Sequence, residues 1–516
     1  MINLPRKAAC YTALAALPTL AALLLGGCRI GPKYTVPPAT AQAPPASYKE
    51  SPTQFTDTDT NSNAWKVAQP GDAMLRGKWW EIYNEPELNT LEEQLNINNQ
   101  NIKQFFENFM AARTLITQAR AQLYPTASVG PTYSRSRSSA NTSNTGTTGT
   151  SGGKETSLTE LPLDVSWEPD LWGKVRNTIR EQQYSAQLSA ADLENERLTE
   201  QASLAEYFFE LRGQDALVQI YDETIAADKK SLDYTQAQYD TGVGDRISVV
   251  EAQNTLQNAQ AAAINLGVAR AQYEHAIAML IGTPASGFSI PVRPLLKTAP
   301  AIPIGVPSQL LERRPDIAAS ERTMASANAQ IGVATAAFYP TLTLSASGGF
   351  ESSTFKHLLD WPSRFWSIGP SVSETVFDAG LRRATVNQYI STYNADVAGY
   401  RQTILTAFQQ VEDYLAAVRI LQQQIQQQEL AMKSAQEFVD LEMSRYQTGI
   451  DPYVDVVTAQ TTLLTDRQTL ATLHVQQMTA SVQLIAALGG GWDASQLPTP
   501  AQVSKKLTKA ETQITK

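Results

Sequence analysis

Apolar residues between about 86 and 122 recur mostly at three-, four- and seven-residue steps: Leu88, Leu91, Leu95, Ile102, Phe106, Phe109, Leu115 and Ala119. That spacing is one face of a helix. A much longer stretch, from about Lys174 to Tyr239, has no proline, Gly213 as its only glycine, and many Ala, Gln, Leu and Glu. These are strong helix formers. A counterpart runs from about Leu381 to Tyr446, interrupted only by Gly399. Sixty-odd residues at ~1.5 Å each give helices of roughly 100 Å. Both are amphipathic, so they pack side by side and leave one face wet.

Each long helix ends at a turn. Gly242 and Gly449 suit the left-handed position that closes a helix. Asp451 and Pro452 then read as N-cap and first-turn proline of a returning helix. The returning helices are expected at about 246–280 and 453–488.

Between the helices the period changes to two. Thr341 to Ser347 alternates polar and apolar, as does Trp366, Ile368, Pro370 and Val372 against Ser367, Gly369, Ser371 and Ser373. Leu161, Leu163, Val165 and Trp167 alternate with Pro162, Asp164 and Ser166, and a weaker run holds Ala127, Val129, Pro131 and Tyr133. Four strands with one apolar face result, and segments of this kind form transmembrane barrels. Tyr124, Trp167, Trp172, Tyr339, Trp366 and Phe377 near their ends suit an interfacial belt.

The two hairpins are copies. Tyr239, Thr241, Gly242, Val249, Val250, Ala252, Gln253, Thr255 and Leu256 recur, always 207 residues later, as Tyr446, Thr448, Gly449, Val456, Val457, Ala459, Gln460, Thr462 and Leu463. Tyr124-Pro125-Thr126 likewise returns as Tyr339-Pro340-Thr341. The chain therefore divides into two homologous halves, 86–290 and 291–492, each with helices, two strands (within 124–172 and 339–378) and a long hairpin. A polar tail, 493–516, follows.

At the N-terminus, Arg6 and Lys7 precede an apolar run from Ala8 to Leu25 that ends in Leu25-Gly26-Gly27-Cys28. This reads as a signal peptide over 1–27, and its end resembles a bacterial lipobox, with Cys28 as lipid anchor. Arg29, in place of an inner-membrane-retaining Asp, implies export to the outer membrane. Residues 28–85 make a lipid-anchored N-terminal tether and equatorial segment. Its Pro-, Ala-, Thr- and Ser-rich part, 29 to about 75, reads as an extended spacer. Removing the signal takes the net charge from −9 to −11, which argues against a nucleic-acid partner. With only Cys28 left, the mature chain forms no internal disulfide.

Beyond the signal no segment approaches the ~20 apolar residues of a spanning helix, so any crossing is made by strands. Four strands cannot close a barrel, and an open edge is not tolerated in lipid. Two subunits give eight strands and a plugged pore; three give twelve and an open lumen. The count predicts a ring of subunits.

Several motifs, in this order, resemble the TolC-like outer-membrane efflux proteins, closest to their lipoprotein OprM/NodT branch. They are the lipobox with Gly31-Pro32-Lys33-Tyr34, Trp167-Glu168-Pro169-Asp170-Leu171-Trp172-Gly173, Leu311-Glu312-Arg313-Arg314-Pro315-Asp316-Ile317, the doubled Tyr-x-Thr-Gly turn, and Ala487-Leu488-Gly489-Gly490-Gly491-Trp492. The first half keeps a faint copy of the third motif at Gln100-Asn101-Ile102. The resemblance implies an α+β membrane protein: a homotrimer with a twelve-stranded outer-membrane barrel, four strands per subunit, continuing into a periplasmic tube of helices. It implies the exit duct of a tripartite pump, joined to a periplasmic adaptor protein and an inner-membrane transporter of the RND type.

Nothing in the residues suggests an enzyme, a metal site or a cofactor beyond the lipid on Cys28. His275, His357 and His474 have no paired-ligand spacing. The rival readings are a structural envelope lipoprotein, a protein-secretion duct, and a duct for copper or silver ions. Soft-metal ducts favour clustered Met or Cys, whereas Met110, Met279, Met324 and Met443 are scattered, so small organic solutes are the expected cargo. The turns at Thr241, Gly242, Thr448 and Gly449 are expected to meet the adaptor. In relatives the resting constriction pairs an apolar and an acidic ring after the second turn. Matching positions here are Val454 and Thr458, the latter departing from the acidic pattern. Through the repeat, Ile247 pairs with Val454 and Glu251 with Thr458; Glu251 and Asp455 are the expected substitute for the ring.

Overall fold

The computed structural model describes residues 29–40, 48–50, 77–137, 139, 155–294, 299–302 and 310–505. Cys28 and the signal lie outside them. Helices α1 (Pro86–Asn98) and α2 (Gln100–Ala121) open the body. Strands β1 (Thr126–Val129), β2 (Thr132–Arg137) and β3 (Glu155–Trp167) follow, then the 67-residue α3 (Lys174–Asp240) and the 35-residue α4 (Arg246–Leu280). The second half brings α5 (Leu310–Arg313), α6 (Pro315–Ala336), β4 (Thr341–Ser352) and β5 (Arg364–Ser373). Then come α7 (Leu381–Gln447), α8 (Tyr453–Ala487) and a short α9 (Pro500–Val503). The two long hairpins have the same lengths, 67 and 35 residues.

The helical stretch expected over 86–122 is two helices, divided at Asn99. Its backbone is extended there (φ −56°, ψ 128°), and its side chain accepts from Ile102 N at 3.0 Å, capping α2. The Asn99 amide also donates to Leu280 O (3.0 Å) and to Glu200 (3.1 Å). In the second half Arg314 stands at the start of α6 and donates to Ala487 O at 3.0 Å. Both residues thus bond a terminal carbonyl of the returning helix, one of the groups a helix end leaves unpaired.

The sheet runs antiparallel in the order β1-β3-β4-β5, with β2 also on β3. Thr126↔Ser166 and Thr132↔Glu160 share one register, so β1 and β2 are one strand interrupted at Gly130 and Pro131. Proline offers no N–H to the ladder, which is why the weaker run splits. Register aligns the apolar positions across the strands: Val129 with Leu163, Leu163 with Gly348, Gly348 with Trp366; then Ala127, Val165, Ala346 and Ile368 in the next row. Asp164, Ser166, Ser345, Ser347 and Ser367 fall on the other face. Trp366, Ile368 and Val372 are 70–78% exposed, so no helix among the described residues covers the apolar face. Both sheet edges, β5 and the β1/β2 strand, are unpaired among the described residues.

The main core lies midway along the long helices. Phe208, Phe209, Leu204 and Leu211 of α3 bury against Trp79, Leu88 and Leu95, with Ile277, Val411 and Val482 from the other long helices. Gly213 permits a close crossing of α3 and α8, since a Cβ there would lie 2.3 Å from the Val475 side chain. Beside it, the buried Asp215 accepts from Arg212 (3.0 Å), Arg270 (2.7 Å) and Arg293 N (2.9 Å), tying the segment after α4 to the helices. A buried carboxylate needs such partners.

The described part of the expected spacer is not free. Tyr34 donates to Glu321 (2.6 Å), Asn328 to Pro32 O (3.2 Å), and Glu412 accepts from Lys49 N (2.7 Å), with Tyr48 buried. Pro-rich chain has little conformational freedom to lose, so it docks as a strap on the helices as readily as it spans solvent.

Candidate functional site: the hairpin tips

Far from the sheet, both hairpins close with the same cap. At the first, Gly242 has φ +75°, its N–H bonds Tyr239 O (3.0 Å), and Val243 N bonds Gln238 O (3.0 Å). At the second, Gly449 has φ +75°, with Gly449 N on Tyr446 O (3.0 Å) and Ile450 N on Arg445 O (3.0 Å). This is the Schellman arrangement, and its positive φ favours glycine. Thr241 and Thr448 turn their hydroxyls back onto carbonyls one turn earlier, Ala237 O (3.0 Å) and Ser444 O (3.1 Å). The four turn residues thereby present a rigid, polar, exposed tip.

The starts of the returning helices differ. Asp245 caps α4 by accepting from Ser248 N at 2.8 Å, and this bond holds its carboxyl below the usual range. Asp451 does not cap α8, contrary to expectation. Pro452 occupies the cap position and Tyr453 begins the helix. The Asp451 carboxylate is instead held by the Arg445 guanidinium, which keeps it ionised below the ordinary range. A planar cation offers a carboxylate two charge-assisted bonds, more than a single backbone N–H offers.

Tyr446 is the residue that sequence reasoning undervalued. It is 8% exposed, whereas its repeat mate Tyr239 is 40% exposed and lies under the Arg246 guanidinium, 5.7 Å from the ring centroid. Tyr446 stacks obliquely on Tyr453 (5.2 Å) and donates to Gln238 on the first hairpin (2.7 Å). Gln238 in turn donates to Tyr234 (3.1 Å). With Ala252 and Val456 these rings form a small separate core that joins the two tips. The repeat could show that both tyrosines exist, not that only one reaches the other hairpin.

The expected gate residues separate into two pairs. Val454 and Thr458 share one face of α8, with Val454 48% exposed and the Thr458 hydroxyl on Val454 O (2.9 Å). Ile247, 67% exposed, and the half-buried Glu251 share one face of α4. No hydrogen bond or ion pair joins Glu251 to Asp455 within the chain, among the described residues. Asp455 lies instead in the field of Glu442 and Arg445. The Glu442 carboxyl is pushed up by desolvation and by Asp451 and Asp455, against Arg445. Deeper in, Asp228 is buried with one carboxylate oxygen unpartnered, and burial raises its pKa to about 6.

One small antiparallel sheet with an uncovered apolar face, joined to helical hairpins of ~100 Å, defines a class: the subunits of outer-membrane channels. The chain belongs to the outer membrane efflux protein family, whose sequence model matches residues 91–283 and 306–490. It is 31% identical over 476 residues to the probable efflux pump outer membrane protein TtgC of Pseudomonas putida, covering 91% of this chain and 94% of that one. It is 29% identical over 478 residues to the outer membrane protein OprJ of Pseudomonas aeruginosa, covering 92% and 95%. Among solved structures, the outer-membrane channel OprN matches with a TM-score of 0.78 at 26% identity, over 90% of this chain and 100% of that one. The Campylobacter jejuni CmeC channel has the same fold, with a TM-score of 0.79 at 21% identity, over 94% and 100%. Members of the family are transport components, not enzymes.

Proposed function

We propose that three copies of this chain form the outer-membrane exit duct of a tripartite efflux pump for small organic solutes. The observation that carries the reading is the sheet: among the described residues its apolar face has no cover and both its edges are open. Lipid resolves the first and neighbouring subunits the second. With β1 and β2 counted as one, each subunit brings four strands, so β5 of one copy meets the β1/β2 strand of the next antiparallel. Twelve strands then close around an open lumen, and the hairpins continue it as a periplasmic tube. Relatives named as toluene and antibiotic efflux components favour organic cargo.

The tips face an adaptor and, beyond it, an inner-membrane transporter, which supplies the energy. Cys28, lipidated, adds a second anchor beside the barrel. The resting constriction is formed by the exposed faces bearing Val454, Thr458, Ile247 and Glu251, with Asp455 adding charge; three carboxylate sets around one axis favour cations. Planar-bilayer conductance tests this. The purified trimer conducts, and Val454→Ala combined with Glu251→Gln raises resting conductance and weakens cation preference. A trimer that conducts nothing belongs to a structural lipoprotein, and unchanged values in the double variant remove these residues from the gate.

A further inference from the structure

Where β3 gives way to α3, a cleft of about 600 Å³ opens between the N-terminal strap and the helix. Arg29 and Lys33 line it from the strap, Arg176 and Arg180 from α3, with Ile179 and Gln183 beneath. Among the described residues no carboxylate lines it. Arg176 is held by Asp170, its Nε 3.0 Å from the carboxylate. Lys33 and Arg180 have no carboxylate partner among the described residues. Four basic side chains, of which only Arg176 is shown paired with a carboxylate, leave an excess of positive charge at this cleft in a chain of net charge −9, and an anion between them would offset it.

The strap is held rigidly enough to count as a wall. Ile30 N bonds Trp172 O (3.1 Å), and the Asn177 amide donates to Ile30 O (2.8 Å). Gly31 lies against Gly332, where a Cβ would come within 2.6 Å of its Cα, and Arg29 lies over Gly173, whose φ is +78°. These contacts preset the positions of two cations opposite the two on α3. The ligand would pay little ordering cost.

Position narrows the ligand. The cleft begins one residue after Cys28 and sits beside Trp172, stacked on Tyr339 at 4.9 Å, at the strand-to-helix junction. If the sheet spans the membrane as proposed above, on which this inference rests, that junction is the periplasmic membrane surface. Arginine and lysine there match phosphate oxygens, and basic groups at a membrane surface attract anionic lipid. The volume exceeds what a bare phosphate needs and falls in the range of small-molecule pockets. Ile179 offers an apolar floor for the glycerol and the first acyl carbons.

We propose that this cleft binds the phosphate headgroup of an anionic phospholipid in the inner leaflet of the outer membrane. The test counts phospholipids retained by the detergent-extracted trimer, by mass spectrometry, for the native protein, for Lys33→Gln with Arg180→Gln, and for the charge-keeping Lys33→Arg with Arg180→Lys. The native trimer should retain phosphatidylglycerol or cardiolipin in preference to phosphatidylethanolamine. The neutral variant should lose at least about five-fold of it, while the charge-keeping variant holds it. Delipidated native trimer is then titrated with short-chain phosphatidylglycerol and with inorganic phosphate at increasing salt. Binding of the lipid, screened by salt and absent in the neutral variant, supports the site. Equal retention by native and neutral trimers, or equal affinity for inorganic phosphate, overturns it. Conductance of the same samples separates the failures: a conducting trimer without lipid preference loses the cleft alone, and a silent native trimer loses the channel.

Discussion

Arginine placed at Ile368 should damage this protein in a way that arginine at Ser367 does not. The apolar face of the sheet has five rows. They run from Leu342 and Val372 at one end, through Trp167–Leu344–Pro370, Val165–Ala346–Ile368 and Leu163–Gly348–Trp366, to Leu161–Phe350 at the other. Leu342 to Phe350 is eight residue steps, about 27 Å along the strand at ~3.4 Å each. A tilt near 40° leaves about 21 Å of height, close to the ~25 Å apolar band of barrels in this class of membrane. Ile368 lies in the middle row, about 10 Å from either rim, and is 75% exposed within the chain. Arginine there should cost about 2–4 kcal/mol per subunit, against about 0–1 kcal/mol for Leu342→Arg at the rim. Ser367→Arg lies on the opposite, polar face of the sheet, the lumen side of the proposed barrel, and should cost less than either. Urea unfolding from liposomes, followed by tryptophan fluorescence, gives all three values, with trimer yield as a second readout. Equal costs for Ile368→Arg and Ser367→Arg, or a rim cost matching the centre, would refute the assignment of the faces.

Three further outcomes follow from local geometry. Gly449→Ala puts a Cβ on a residue at φ +75° and should cost about 1–2 kcal/mol, seen as faster amide exchange at residues 445–450. Arg314→Ala removes bonds to Ala487 O, Gln410 and Asp316 and should cost about 1.5–3 kcal/mol in chemical denaturation. Arg314→Lys, lacking the planar fork, should recover only part. Asp228 has a folded pKa of about 6, raised by burial from 3.8. A raised carboxyl favours the folded state while protonated, and that contribution is lost as pH climbs from about 4 through 6. Asp228→Asn should therefore raise the melting temperature at about pH 8 and change it little near pH 4. A shift of equal size at both values would contradict a buried, ionised Asp228.

Much of this architecture could be read from residue patterns, because long-range periodicity is robust. Proline-free runs rich in Ala, Gln and Leu correspond to helices ending within a residue or two of the expected tyrosines, since Gly242 and Gly449 supply the left-handed turn there. The alternation around Ile368 and Val165 likewise put apolar side chains on one face. Single-residue departures were harder. Asn99 splits a helical stretch that periodicity carries straight through; its cap bond to Ile102 N is local, but its amide is held by Glu200 and Leu280, distant in the chain. Asp451 looks like an N-cap until Arg445 is seen to take its carboxylate. The strap of residues 29–40 has the composition of a free linker, and only its contacts with Glu321, Asn328 and Asn177 reveal it as docked. At the tips, the 207-residue offset made Tyr239 and Tyr446 equivalent. Yet Tyr446 at the end of α7 is buried and reaches Gln238 of α3, while Tyr239 at the end of α3 stays exposed, so only one of the pair bridges the hairpins.

The claim that three chains share one barrel is tested most directly by native mass spectrometry of the protein extracted from outer membranes. The account predicts a single species of three chains that survives collisional removal of detergent, because each sheet edge is paired with a neighbour's. A species of one chain, or of two, would contradict it, since neither gives four-stranded sheets a closed ring with an open lumen.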